Sequence, residues 1–352
     1  MFGIVSTISV LERVLEGTSK WADIINSSEN IYALEDKPIN NDKVFDLSQS
    51  GSLIRDPEIK NFPSINILKR YSSCVFLMDI DPQEARRIQE QYGVICQSIA
   101  AMDDSILTSV APDHFELEYG ENGYDWNRVL KGLAIPTFPS NCLIINDRYL
   151  FTDDDILGEK VPGYDNVVSL LDALLPKKFN ENPQGPEYFP YQVLIIYQPD
   201  TNSRLTPAEI KERFDKLATK INKIRPRTYH ISFELIGLNG SNKNSFFQNS
   251  HNRRIYSNYF TISCDHQIAA FCRSKSRCSQ SIEILKHFSK LDKDGSDQPV
   301  KGHNAFVGKL SESISDWMRH VNYEATYRVA KNGNYRLTIH HLENRLVAPN
   351  TK

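Results

Sequence analysis

Asn146-Asp147-Arg148-Tyr149-Leu150-Phe151-Thr152-Asp153 and His251-Asn252-Arg253-Arg254-Ile255-Tyr256-Ser257-Asn258 stand 105 positions apart and share one frame. Each reads as an amide or imidazole, one residue, an arginine, four residues, then a carboxylate or amide. The text before each frame is also alike. Apolar Cys74–Met78 is followed by a charged stretch from Pro82 to Gln91 and by Val94–Cys96; Val193–Tyr197 is followed by a charged stretch from Thr206 to Ile221 and by His230–Leu235. Short, continuously apolar runs suit strands buried on both faces, and the charged stretches carry apolar residues at helical spacing. The repetition predicts a duplicated α/β unit with one arginine-bearing frame per copy.

Local signals place the elements around these frames. Asp81 caps a helix that opens on Pro82 and stops at Gly93, and Thr206-Pro207-Ala208-Glu209 is a capping box with proline at the first helical position. Cys142–Ile145 is a strand running into the first frame, and Val167, Val168, Leu170, Leu171 and Leu174 form one face of a helix ended by Pro176. Residues 177–190, rich in Pro, Gly and Asn, read as a linker. Beyond the second frame, Tyr259–Ile262 is a strand and residues 306–321 a helix. Asn332-Gly333 joins strands 324–329 and 335–341 into a hairpin. The expected fold class is α/β: duplicated, two-lobed mixed sheets flanked by helices, with a C-terminal α+β elaboration. Residues 1–70 form an N-terminal extension with a helix near Ile8–Trp21, residues 71–180 an acidic first lobe, and residues 181–352 a basic second lobe.

Composition narrows the class. The 352 residues are 40% hydrophobic and 24% charged, which suits a globular chain with a proper core. No apolar run approaches the roughly 20 residues of a membrane-spanning helix. The start, mildly apolar but without basic residues before Glu12, does not read as a secretory signal. Of six scattered cysteines, Cys74, Cys96 and Cys142 lie in predicted strands, which fits reduced core thiols and a cytoplasmic protein. Cys264, His266, Cys272 and Cys278 match no standard zinc spacing, and no metal or cofactor is expected. Residues 1–185 hold 16 Lys and Arg against 29 Asp and Glu; residues 186–352 hold 25 against 15. The asymmetry fits either an anionic partner for the C-terminal half or a basic lobe docked on an acidic one.

Arginine forks suit phosphate oxygens, being planar and bidentate. Arg148 and Arg253 at matching positions therefore point to a phosphate-like anion, although each could instead pair with a local carboxylate such as Asp147 or Asp153. Arg254, Arg273, Lys275 and Arg277 extend the basic cluster, and Tyr256, Tyr259 and Phe271 are interleaved with it, provided the strands near Tyr259 and Ala270 form a hairpin. Charge plus aromatic rings is the mixture used for nucleic acid; core-facing rings on a solvated surface would give the same text.

The frames resemble the His-x-Lys-x4-Asp signature of the phospholipase D superfamily, whose two lobes contribute one copy each. His251-x-Arg253-x4-Asn258 is similar to it with Arg for Lys and Asn for Asp, and Asn146-x-Arg148-x4-Asp153 with Asn for His and Arg for Lys. The second frame also resembles the His-Asp-Arg phrase of phospholipase-D-like domains that perform no chemistry. The resemblance implies His251 as nucleophile if any chemistry survives, and Arg148, Arg253, Asn146, Asp153 and Asn258 around a phosphate. It also implies a departure, because Asn146 stands where the second histidine belongs and an amide is neither acid nor base near neutral pH. The expectation is a degenerate pseudoenzyme that binds a phosphate-bearing ligand, foremost nucleic acid, through these residues and Arg254, Arg273, Lys275, Arg277 and Tyr256. A metal-independent phosphodiesterase or nuclease using His251, or a protein-interaction scaffold with structural arginines, are the alternatives. A homodimer or protein partner fits; a membrane partner does not. No Gly-x-Ser-x-Gly elbow, P-loop or HExxH is present.

Overall fold

The computed structural model describes residues 3–103, 113–118, 120–132, 139–147, 149–156, 159–179, 190–197, 205–224, 229–237, 253–272, 275, 279–286, 326–329, 335–336 and 344–346. They form a mixed α/β structure with one parallel and one mixed sheet, flanked by helices, plus a small separate hairpin.

The first sheet is built from β1 (Gly3–Thr7), β2 (Ile31–Leu34), β3 (Leu53–Arg55), β4 (Cys74–Met78) and β5 (Ile95–Ser98). Its order is β3-β2-β1-β4-β5 with every pair parallel. The connections carry α1 (Ile8–Glu16), α2 (Trp21–Ser27), α3 (Asp42–Gln49), a 3-10 turn at Pro57–Asn61, α4 (Ile65–Arg70) and α5 (Pro82–Tyr92). Helices on both faces explain the alternation in β1. Ile4 packs with Val10, Leu11, Val14 and Trp21 on one side, and Val5 with Leu68, Phe76 and Ile88 on the other. Asp81 caps α5 as expected, and Gly93 ends it in the left-handed region at φ +59°.

This sheet redraws the expected domains. Residues 1–70 are not an extension: they supply three of five strands, including the central one. β4 and β5, assigned from sequence to the first lobe, pair with β1 and each other. The expected single helix over Ile8–Trp21 is α1 and α2, separated by Gly17 and its neighbours.

The second sheet contains β6 (Asp113–Leu117), β7 (Cys142–Asn146), β10 (Tyr191–Tyr197), β11 (Ile231–Gly237), β12 (Arg254–Ser257), β13 (Phe260–Cys264), β14 (Gln280–Lys286), β15 (Thr326–Val329) and β16 (Tyr335–Arg336). Its order is β16-β15-β11-β10-β7-β12-β13-β14-β6. β7, β10 and β11 are parallel; the remaining pairs are antiparallel. β8 (Asp154–Ile156) and β9 (Glu159–Val161) form the separate hairpin. One face of the nine-stranded sheet is covered by α6 (Trp126–Gly132), α7 (Gly163–Leu174) and α8 (Pro207–Ile224), through Trp126, Val167, Leu171, Phe214 and Leu217. The capping box at α8 forms: Glu209 accepts from Thr206 N at 2.7 Å, and Glu209 N donates to Thr206 Oγ1 at 3.3 Å. The C-terminal strands pair as expected; helix 306–321 and the 332–333 turn lie outside the described residues.

The similar β-α-β units of the sequence thus sit in different settings, β4-α5-β5 in the parallel sheet and β10-α8-β11 in the mixed one. The charge asymmetry is redrawn too. Residues 1–103 hold 10 Lys and Arg against 15 Asp and Glu, and residues 104–185 hold 6 against 14. The step from acidic to basic therefore falls within the chain that builds the second sheet. Among the described residues no helix is long and apolar enough to cross a membrane.

The two sheets meet at a polar joint beside the start of β7 and the end of β12. Asn258 is fully buried; its Nδ2 donates to Ser72 O at 2.9 Å and Gly93 O at 3.3 Å, and its Oδ1 accepts from Asn141 N at 3.2 Å. Asn141 Nδ2 donates to Ser72 O and Tyr92 O, each at 3.3 Å. Tyr259 inserts into the first sheet's core, where its hydroxyl donates to Cys74 O at 2.7 Å and accepts from Ile95 N at 3.0 Å. Burial pushes this phenol well above the ordinary tyrosine range, so it stays protonated as that donor. A Cβ at Gly93 would lie 2.0 Å from Ser140 O.

Gly93→Ala is expected to destabilise the protein by well over about 1 kcal/mol, because positive φ and a backbone collision oppose it together. Tyr259→Phe should cost roughly 1–3 kcal/mol by stranding a buried amide and carbonyl. Urea unfolding of both variants checks the ranking.

Candidate functional site

Because β7, β10 and β11 are parallel, their carboxyl ends share one edge of the second sheet, where ligands bind in sheets of this kind. β12 runs antiparallel to β7 and so begins on that edge; β13 ends there. The two frames of the sequence therefore meet, as neighbouring strands of one sheet, with Asn146 and Arg254 as register partners.

Alternation along β12 puts Arg254 on the face of Asn146 and of Tyr256. Asn146 is 8% exposed and Tyr256 1%. Burial raises the Tyr256 phenol and the neighbouring Arg254 draws it back. Tyr256 is thus a core ring. It offers no face for base stacking, contrary to the sequence expectation, and Tyr259 and Phe271 are buried as well.

Arg253 takes a different course. It is half-buried, donates from Nη1 to the Asp265 carbonyl at 2.9 Å, and holds its guanidinium carbon 5.8 Å from the centroid of the Tyr149 ring. Its own carbonyl accepts from Cys264 N at 3.0 Å, which continues the β12–β13 pairing to the edge. Among the described residues, no carboxylate pairs with Arg253 or Arg254. Lys275 stands exposed on the connection from β13 to β14, with its carbonyl accepting from Cys272 N at 3.1 Å. The expected hairpin near Ala270 is absent among the described residues: β13 pairs instead with β14, and residues 265–272 cross the edge as a connection.

The closing residues of the two frames go elsewhere. Asp153 stays on the edge, but its carboxylate receives both Nη atoms of Arg213 at 3.0 Å and Gly163 N at 3.0 Å. Donating to the Asp153 carboxylate holds the Arg213 guanidinium above its ordinary pKa. Asn258 lies at the other end of β12 in the inter-sheet joint, about 13 Å along a four-residue strand. Its carboxamide joins two sheets and does not face the edge. Arg148, His251, Arg273 and Arg277 lie outside the described residues.

Asp147, which the sequence offered only as a local partner for an arginine, bonds to backbone amides. Its side chain is almost fully buried, with Oδ1 accepting from Tyr149 N at 2.9 Å and Oδ2 from Ile268 N at 2.7 Å. One carboxylate thereby turns its own chain and ties the β7 connection to the β13 connection. The signal was present, since an aspartate bonding to the amide two residues on is a common turn device. The Asp153–Arg213 pair had no local signal, its partners being 60 residues apart.

The strand order of the first sheet switches between β1 and β4, which makes its carboxyl edge the other place where sheets of this kind take ligands. The polar side chains there pair with one another. Asp36 accepts from Ser9 N at 3.0 Å and from the Ser9 hydroxyl, occupying the place an anion would take at the start of α1. Arg13 donates to Asp79 at 2.8 Å, and Asp81 caps α5. Among the described residues no group of three His, Cys, Asp or Glu is arranged to hold a metal.

Asp147→Ala should destabilise by roughly 1–3 kcal/mol for each amide left unbonded, whereas Asp147→Asn, which keeps one acceptor oxygen, should lose less. Equilibrium unfolding in urea checks this, with a shifted midpoint at unchanged slope. No family model and no curated protein matches the chain.

Proposed function

We propose that the protein binds a phosphate-bearing ligand, foremost nucleic acid, on the carboxyl edge of the second sheet, as a catalytically degenerate phospholipase-D-like module. The observation that carries this is Arg253: a half-buried guanidinium held by a carbonyl and an aromatic ring, without a carboxylate partner among the described residues. A guanidinium so placed keeps donors for an outside anion, and its partial desolvation strengthens the attraction. Arg254 and Lys275 add charge from β12 and the β13–β14 connection. In sequence, Arg148 follows Asp147, and Arg273 and Arg277 flank Lys275 on either side.

Binding survives the substitutions in the frames better than catalysis does. Arginine replaces lysine as a phosphate holder without loss of charge, whereas Asn146 in place of a histidine removes proton transfer, worth roughly 10²- to 10⁴-fold. The burial of Tyr256 and the engagement of Asp153 by Arg213 leave the ligand mainly to cationic side chains.

Affinity for nucleic acid is expected to fall linearly with the logarithm of salt concentration, and Arg253→Ala and Arg254→Ala should each lower the slope by about 1. Fluorescence anisotropy with labelled DNA and RNA across a potassium chloride series measures it; binding indifferent to salt and to both substitutions would sink the proposal. Incubation of the same oligonucleotides with chelator present tests the enzymatic alternative, which requires cleavage that His251→Ala abolishes.

A further inference from the structure

The first sheet ends differently at its two edges. β5 is buried along its whole length, and the Gln89 carboxamide takes the outward Cys96 N at 3.4 Å. β3 has no such cover. Ile31 N donates to Ser52 O at 2.8 Å and Asp56 N to Ala33 O at 2.9 Å. In that register the backbone groups of Ile54 turn to β2, and the N–H and C=O of Leu53 and Arg55 point out of the sheet. No described strand pairs with that side of β3. Exposed apolar side chains collect at the same edge. Of the three large hydrophobic residues that stand exposed among the described residues, Ile54, at 40%, is the middle of β3, and Phe45, at 53%, is on α3. α3 lies beside this strand, its Val44 and Leu47 sharing a core with Leu53.

We infer that β3 is a dimer contact, pairing antiparallel with β3 of a second copy of this chain about a two-fold axis through Ile54. The strand is self-complementary in that register. Leu53 of one copy faces Arg55 of the other as a hydrogen-bonded pair, twice over, so every outward N–H and C=O is used. Ile54 meets Ile54 as the central, non-hydrogen-bonded pair, with Cα atoms about 4.5 Å apart and two exposed side chains covering each other. Two-fold pairing is closed, whereas a parallel pairing of the same strands would not close. The axis stands normal to the sheet, which keeps both α3 helices on one face of the joined sheet. Charge permits the contact. The Arg55 guanidinium is held by Glu35 of its own chain at 2.8 Å, so no unpaired cation is carried into it. Lysine or proline in an edge strand opposes such pairing, and β3 has neither. An unrelated strand could take the same backbone groups, but a second copy also brings the matching isoleucine. The contact is independent of the phosphate reading.

Sedimentation velocity of the full chain, from low to high micromolar concentration, should show an equilibrium between one and two chain masses. Ile54→Lys, which sets two ammonium groups opposite one another, should raise the dimer dissociation constant about tenfold or more with the circular dichroism spectrum unchanged. Ile54→Cys, treated with a thiol oxidant, should link two copies, because a Cα separation of about 4.5 Å suits a disulfide. Arg55→Cys, which faces Leu53 and not its own copy, should link no more than wild type, where half-exposed Cys272 sets the background. A chain that stays monomeric at the highest concentration refutes the dimer. A dimer that Ile54→Lys leaves as tight as wild type, or whose Ile54→Cys form gains no link over wild type, overturns β3 as its contact.

Discussion

The Asn258 carboxamide is the contact on which the arrangement of this protein turns. It is fully buried between the two sheets, donating its amide hydrogens to the carbonyls before β4 and β5 and accepting at its oxygen from the amide before β7. A buried amide in an apolar surround costs several kcal/mol when unbonded and little when bonded, so the site admits one geometry. That geometry sets the start of β7, the end of β12 and the approach of Gly93 to Ser140 together. Tyr259 adds a second peg in the next residue, reaching into the neighbouring core. The two sheets are joined by polar bonds to backbone, whose directionality fixes orientation as an apolar contact would not.

At the far end of β12 the electrostatic logic reverses. Polar groups in the joint bond to the protein itself, whereas among the described residues at the edge no carboxylate pairs with Arg253 or Arg254. Asp147 accepts from two backbone amides, and Asp153 from the Arg213 fork and Gly163 N. These two carboxylates are thus held by donors other than Arg253 and Arg254. The first sheet shows the opposite case: Asp36 accepts at the start of α1 and the Arg13 cation pairs with the Asp79 carboxylate.

The elements that were legible in the sequence are those whose signals are local and strong. β4, β7 and β10 are runs of apolar residues buried on both faces. α5 opens on Asp81-Pro82 and closes on Gly93, and the box at Thr206–Glu209 closes on itself. The first seventy residues were opaque because β1 opens on glycine and ends in Ser-Thr, β2 and β3 have only four and three residues, and their order depends on pairings between distant segments. The partition into lobes failed for a related reason. β4-α5-β5 and β10-α8-β11 are alike within themselves, but the sheet a unit joins is decided by its edges, which composition does not encode. At the site, the nearness of the two frames was legible in outline. The fate of each side chain was not, because burial separates Tyr256 from Tyr149 and Arg213 reaches Asp153 across 60 residues.

β12 is only four residues long, with cations entering at one end and the Asn258–Tyr259 joint leaving at the other. Side chains on a strand alternate faces, so inserting or deleting one residue here would turn Arg254 and Ile255 each to the opposite face of the sheet and pull Asn258 away from Ser72, Gly93 and Asn141. This segment therefore tolerates substitution far better than any change in length. In relatives of this chain, the spacing between Arg253 and Asn258 should prove more invariant than the identity of the residues between them.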